Sequence, residues 1–214
     1  KKKRKFFIIM EQDEVRCIVL GDTNSGKTTL LYDFMNKRDT RTNKLIKFNN
    51  TVSIQYFQHS FQSTMYKIWD TSGEKRYRSI LESYLQQNNM FVLVHNINQI
   101  NPLETVYYWL EKMKDVGVDK SVHIKVVGTF LESINNSQYK YCVDQLLEEW
   151  IPHFKNISCA IYYLEFGGKQ IFFYDNQHKH IQKKKKYVDI SKYHKNKKSK
   201  TVCKYIFPCY GYGV

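Results

Sequence analysis

Eight residues, "GDTNSGKT" from Gly21 to Thr28, constrain this 214-residue chain more than any other stretch. They fit G-x-x-x-x-G-K-[ST] at every fixed position. They also lie between a β-branched run, "VRCIVL" (15–20), and a run with helical spacing, "KTTLLYDFMN" (27–36). Strand, glycine turn and helix in that order build a loop that cradles phosphate. Gly21 and Gly26 let the main chain curl until successive N–H groups point inward. The following helix adds the positive end of its dipole. Lys27 offers a charge to the outer phosphates, and the Thr28 hydroxyl can join a magnesium shell, which takes few protein ligands. Gly21, Asp22, Thr23, Asn24, Ser25, Gly26, Lys27, Thr28 and Thr29 therefore form a candidate nucleoside triphosphate site.

The remaining pattern supplies a sheet for that loop. "TVSIQYF" and "STMYKIWD" flank a short polar connection, as in a hairpin, and "MFVLVH" and "VHIKVVG" are buried-strand runs. Between the latter two, "PLETVYYWLEKMKDVG" opens on proline and stops at glycine, as helices do. "SQYKYCVDQLLEEW" is a second amphipathic helix and "AIYYLEF" a last strand. A third helix is expected from about Lys169. Strands alternating with helices predict an α/β fold: a mostly parallel, six-stranded sheet with helices on both faces.

The net charge of +14 suggests a nucleic-acid binder until it is located. "KKKRK" at the start carries +5, and residues 183–200 hold nine lysines and one aspartate, or +8. Only +1 remains for everything between, which argues against nucleic-acid binding by the folded part. The spacing predicts a basic arm over 1–12, one domain over 13–182 and a lysine-rich tail over 183–214. Such arms attract anionic membranes or acidic surfaces weakly and reversibly. No apolar run approaches the ~20 residues of a membrane span. Five cysteines without metal-ligand spacing predict reduced thiols and a cytoplasmic protein.

Asp70 ends an apolar strand, which puts its carboxylate at the carboxyl edge of the sheet, where ligands bind. From there it can reach magnesium, and Gly73 can bring a backbone N–H to a terminal phosphate. "LGDTNSGKTTLLYDF" and "WDTSGEKRYRS" resemble the first and third nucleotide motifs of Ras-superfamily small GTPases, most closely the Rab family. "NNTVSIQYF" resembles the Rab first switch, which makes Thr51 the switch threonine that senses magnesium and the γ-phosphate. The resemblance covers about 13–182 and is stronger in the first half. It implies the three-layer P-loop small G-protein fold, GTP or GDP with Mg²⁺ as ligands, and effector and regulatory proteins as partners at the switch regions. It also implies an aromatic effector surface at Tyr56, Trp69 and Tyr84, and work in vesicle trafficking.

Four departures qualify the resemblance. Where the family reads the base with Asn-Lys-x-Asp, this chain has "TFLE": Thr129, Phe130 and Glu132 stand for asparagine, lysine and aspartate. Glu132 keeps a carboxylate able to accept two guanine N–H groups, and Phe130 can cover a base face. "EFGGK" stands where the family has its Ser-Ala-Lys loop, so Gly167, Gly168 and Lys169 are further base contacts. Glu74 occupies the position of the water-positioning glutamine. A glutamate accepts but does not donate, and at ~5 Å from another unit charge it meets repulsion of roughly 3 kcal/mol at an effective dielectric near 20. Either it swings outward to a lysine and hydrolysis is slow, or its pKa rises until it acts as a general base, with Lys27 as the other candidate catalytic residue. The C-terminal "CKYIFPCYGYGV" has glycine where a prenylated cysteine is expected. Two readings remain open: a slow GTP/GDP switch, or a nucleotide-locked pseudo-GTPase in a larger, cytoskeletal or ciliary assembly.

Overall fold

The computed structural model describes residues 13–37, 49–61, 63–129, 136–162 and 171–174. Seven strands form one sheet: β1 (Glu14–Leu20), β2 (Ile54–Phe61), β3 (Thr64–Thr71), β4 (Met90–Asn96), β5 (His123–Thr129), β6 (Asn156–Tyr162) and β7 (Ile171–Tyr174). Their order across the sheet is β2-β3-β1-β4-β5-β6-β7. β3, β1, β4, β5 and β6 run parallel, while β2 and β7 are antiparallel at the two edges. Helices α1 (Lys27–Phe34), α2 (Arg78–Glu82), α3 (Glu104–Asp115) and α4 (Asn136–Trp150) complete the α/β architecture.

Period-two alternation divides the core between the two faces of the sheet. On β1, Cys17 and Val19 face α1 and pack with Leu30, Leu31 and Phe34. Ile18 and Leu20 face the other way, toward Trp109, Leu110 and Trp150 of α3 and α4. β4 supplies Val92 and Val94 to the first cluster and Phe91 and Leu93 to the second, as a strand covered on both faces must. α3 buries Val106, Trp109, Leu110 and Met113, the spacing of a single helical stripe. It ends just before Gly117, whose φ of +71° a side chain seldom adopts. Among the described residues, no helix is long and apolar enough to cross a membrane.

One expectation fails. The helix expected from about Lys169 is replaced, at 171–174, by the short strand β7, paired with β6 through Cys159–Tyr174 and Tyr162–Ile171. "IFFY" is β-branched and aromatic, and such residues favour a pleated edge over a helix start. The parallel body of the sheet is as expected, with one additional antiparallel edge. The basic arms 1–12 and 183–214 lie outside the described residues.

β1 is flanked by β3 on one side and β4 on the other, with the connections leaving in opposite directions. Ligands of open α/β sheets bind at the carboxyl edge of such a reversal. The loop 21–26 leaves β1 at that edge.

Candidate functional site

The loop after β1 is wound by unusual backbone. Asn24 has φ +59° and Gly26, which caps α1, has φ +87°. A chain curled this way is able to present successive amides to an anion. Lys27 is buried at 6% exposure, and its Nζ arcs back to donate to the Asp22 carbonyl at 2.7 Å. Burial pulls the ammonium down to about 8, against the raising influence of the Asp70 and Asp22 carboxylates. A cleft of about 270 Å³ lies in front of it. Thr23, Asn24, Gly26, Lys27, Thr28 and Thr29 line one wall, Asn50 and Thr51 a second, and Thr71 to Glu74 a third.

At the cleft floor three oxygens converge. Thr28 Oγ1 donates to Asp70 Oδ2 at 2.6 Å, Thr51 Oγ1 reaches the same oxygen at 2.9 Å, and the two hydroxyls are 2.9 Å apart. The long interval between Lys27 and Thr51 does not prevent the meeting. Asp70 is fully buried, and burial raises its carboxyl, with the two hydroxyls and the Lys27 charge pulling the other way. Its second oxygen, Oδ1, is buried with no hydrogen-bond partner. Two hydroxyls and a carboxylate are hard oxygen donors, the set that suits magnesium, and the orphaned Oδ1 has capacity for a water of its shell. Among the described residues, no three or more His, Cys, Asp or Glu side chains are grouped so as to hold a metal ion.

Gly73 closes the third wall. A Cβ there would lie 2.0 Å from Thr23 N and 2.1 Å from the Asp22 carbonyl carbon, so any side chain would push the wall off the loop. The next residue, Glu74, turns its carboxylate to Arg76, with Nε at 2.8 Å. Both side chains are well exposed, at 42% and 68%, so the pair is a loose surface contact. Of the two fates open to Glu74, the structure has the outward one, with arginine rather than lysine as partner.

Several residues differ from their sequence-based roles. Gly21, Asp22 and Ser25 belong to the loop but do not line the cleft. The Asp22 side chain points away from it: Oδ1 pairs with Arg78 Nη2 at 3.2 Å and Oδ2 accepts from the Thr105 hydroxyl. The Arg78 guanidinium lies 4.2 Å over the Tyr108 ring, and Tyr108 donates to Glu82 at 3.0 Å. Loop, α2 and α3 are thus joined at one carboxylate. None of Arg78, Thr105 and Tyr108 carries a local signal in the sequence that marks it as part of this cluster. Thr129 is not a base contact here. It is fully buried, and its hydroxyl faces the Ser25 and His95 carbonyls at 2.8 and 3.0 Å. Phe130, Glu132, Gly167, Gly168 and Lys169 lie outside the described residues. Tyr56 is exposed and leans on Trp69 at 5.4 Å, whereas Trp69 and Tyr84 are half-buried against the core.

Two outcomes follow from this geometry. Phosphate requires the ammonium form of Lys27, whose free-state value is about 8. The Lys27 contribution to polyphosphate affinity should therefore be complete near pH 7 and fall above pH 8 by up to about tenfold per unit. Lys27→Ala should abolish both the affinity and the slope, as read by titration calorimetry across pH. Arg78→Ala should speed amide exchange across residues 73–82, whereas Arg76→Ala should leave it near wild type.

Residues 16–131 match the family described as Roc, the Ras of Complex domain of DAPkinase. Similar curated proteins include the Ras-related protein YPTC6 of Chlamydomonas reinhardtii, 29% identical over 133 residues, covering 60% of this chain and 56% of that protein. The Ras-related protein RGP2 of Oryza sativa subsp. japonica is 28% identical, and Ras-related protein Rab-19 of Homo sapiens 24%, each over 117 residues, covering 53% of this chain and 51% of theirs. The chain spans about half the length of the curated relatives it matches. With a phosphate loop, a buried Asp70 and a glycine wall in the matched region, the chain belongs to the Roc/Ras-type family of GTPase domains, as a divergent, Rab-like member.

Proposed function

We propose that this protein is a Rab-like guanine-nucleotide switch with slow intrinsic GTP hydrolysis. The observation that carries the reading is the meeting of Thr28, Thr51 and Asp70 beneath a cleft faced by Lys27. Thr28, Thr51 and Asp70 would hold Mg²⁺, the latter through water. When bound, the ion neutralises phosphate charge and fixes the orientation of the β- and γ-phosphates. Thr51 lies 23 residues after Thr28, on a different segment, so its contact reports whether the terminal phosphate holds that segment in place. Gly73 does the same for the segment leading to α2. Switching then changes the surface offered by Val52, Tyr56 and Ile80, all large apolar side chains left exposed, and through it the choice of effector or regulator.

Slow turnover follows from Glu74. Its carboxylate can accept from a water but has no proton to donate, and Arg76 draws it aside. The domain over 13–182 would act in the cytoplasm, at times peripheral to membranes through the lysine arms, and vesicle trafficking is the fitting process. A second reading, a nucleotide-locked subunit of a cytoskeletal or ciliary assembly, is favoured by one observation. The Asp22–Arg78 pair holds α2 to the loop without help from a ligand.

Extraction of the nucleotide from natively purified protein, followed by chromatography, tests the function. The switch predicts guanine nucleotide that exchanges within minutes once magnesium is chelated. One nucleotide per chain that never exchanges supports the locked subunit, and adenine nucleotide or none overturns both. In single-turnover assays Glu74→Gln should raise hydrolysis by about tenfold or more, the scale of one restored transition-state donor, with nucleotide affinity unchanged. Identical rates would make Glu74 a bystander.

A further inference from the structure

We infer that the cleft takes a second, monovalent cation of potassium size, held by the side-chain oxygens of Asn24, Asn50 and Glu74 beside the terminal phosphate, and that this ion speeds hydrolysis. The inference rests on the proposed function and deepens it, since it names what regulates the slow turnover.

Each of the three stands on a different wall of the one cleft: Asn24 on the phosphate loop, Asn50 just before Thr51, and Glu74 just after Gly73. None belongs to the magnesium seat that the proposed function gives to Thr28, Thr51 and Asp70. Asn24 is exposed and has φ +59°, a conformation that glycine adopts freely and asparagine tolerates. Glycine there would bring nothing into the cleft. Asparagine brings an amide whose oxygen has two lone pairs to give. Asn50, also exposed, adds a second amide oxygen. Glu74 adds a carboxylate. Its pair with Arg76, at 2.8 Å between two well exposed side chains, is loose enough for a cation to displace at little cost.

The cleft is short of positive charge. Lys27 is the one cationic side chain among the described residues that line it. Arg76 and Arg78 follow Glu74 closely in sequence but are engaged elsewhere, Arg76 with Glu74 and Arg78 with Asp22 and the face of Tyr108. A bound triphosphate and Glu74 together carry more negative charge than Lys27 and one magnesium ion neutralise. The donor set selects the second ion. Neutral amide oxygens suit a large, weakly hydrated cation, as rings of carbonyl oxygens suit potassium, whereas magnesium parts reluctantly with its water. In hydrolysis a water oxygen bonds to the γ-phosphorus and the bond from that phosphorus to the β–γ bridging oxygen breaks. GDP leaves with the electron pair, and the water's proton passes to a phosphoryl oxygen. A cation beside the departing oxygen supplies the stabilisation that an arginine gives in other such sites. Glu74, with no proton to donate, does not supply it.

Single-turnover hydrolysis by the full chain, loaded with GTP and magnesium, is measured at equal ionic strength in the chlorides of potassium, lithium and N-methylglucamine. Potassium should raise the rate by about tenfold or more over the other two, the scale of one added transition-state contact. Asn24→Gly, which suits the same backbone, should give equal rates in all three salts. Asn24→Asp, which keeps an oxygen there, should retain the potassium response, and Asn50→Ala should raise the potassium concentration needed for half of it. In crystals grown with GDP and aluminium fluoride, anomalous scattering from thallium(I), a potassium mimic, should mark an ion beside Asn24. Equal wild-type rates in the three salts, a potassium response that Asn24→Gly retains, or no thallium in the cleft would each overturn the cation site and leave the proposed function standing. A wild-type protein that binds no guanine nucleotide would overturn both.

Discussion

A carboxylate that burial penalises sits where three separate segments meet, and the rest of the site depends on it. Asp70 is fully enclosed, and enclosure alone would favour its neutral form. Two hydroxyl protons, from Thr28 on α1 and Thr51 before β2, and the nearby Lys27 ammonium offset that penalty. The sheet register puts it there: β3 lies parallel to β1 with Asp70 opposite Val19, two residues before Gly21, the start of the phosphate loop. A slip of one residue would send the side chain to the opposite face and leave the loop without its anchor.

Around that centre, each wall of the cleft is held by contacts outside it. Asp22 ties the loop to α2 and α3, Thr129 ties it to β5, and Gly73 brings the third wall against Asp22 and Thr23 without intervening side chain. Such bracing places donors before a ligand arrives, which lowers the reorganisation cost of binding. It also limits how far the 73–82 segment can move, so one set of contacts bears on both affinity and switching.

The phosphate loop was legible because its chemistry is local. Strand, glycines, lysine and threonine stand within fourteen residues, from Val15 to Thr28. Asp70, Gly73, the β2–β3 hairpin and the parallel order of the strands were equally readable from runs and turns. Thr51 was readable only through its resemblance to a known switch, since nothing in the spacing from Lys27 required the two to meet. What escaped were contacts made by distant segments. Asp22 looked like a ligand-facing residue, and only the fold brings Arg78 and Thr105 to it from 56 and 83 positions away. Thr129 looked like a weakened base reader, yet its neighbour across 104 positions is the loop itself. The strand at 171–174 was read as helix because a short "IFFY" run has no period long enough to distinguish the two.

In the proposed switch, Thr28, Thr51 and Asp70 would seat a magnesium ion that binds together with a guanine nucleotide. Calorimetric titration of nucleotide-free protein with GDP, with and without magnesium, tests it most directly. One site is expected, its affinity falling steeply when the metal is chelated, with a matching loss in Asp70→Asn even with magnesium present. Equal affinity with and without the metal, or an Asp70→Asn variant that still responds to magnesium as the wild type does, would contradict it.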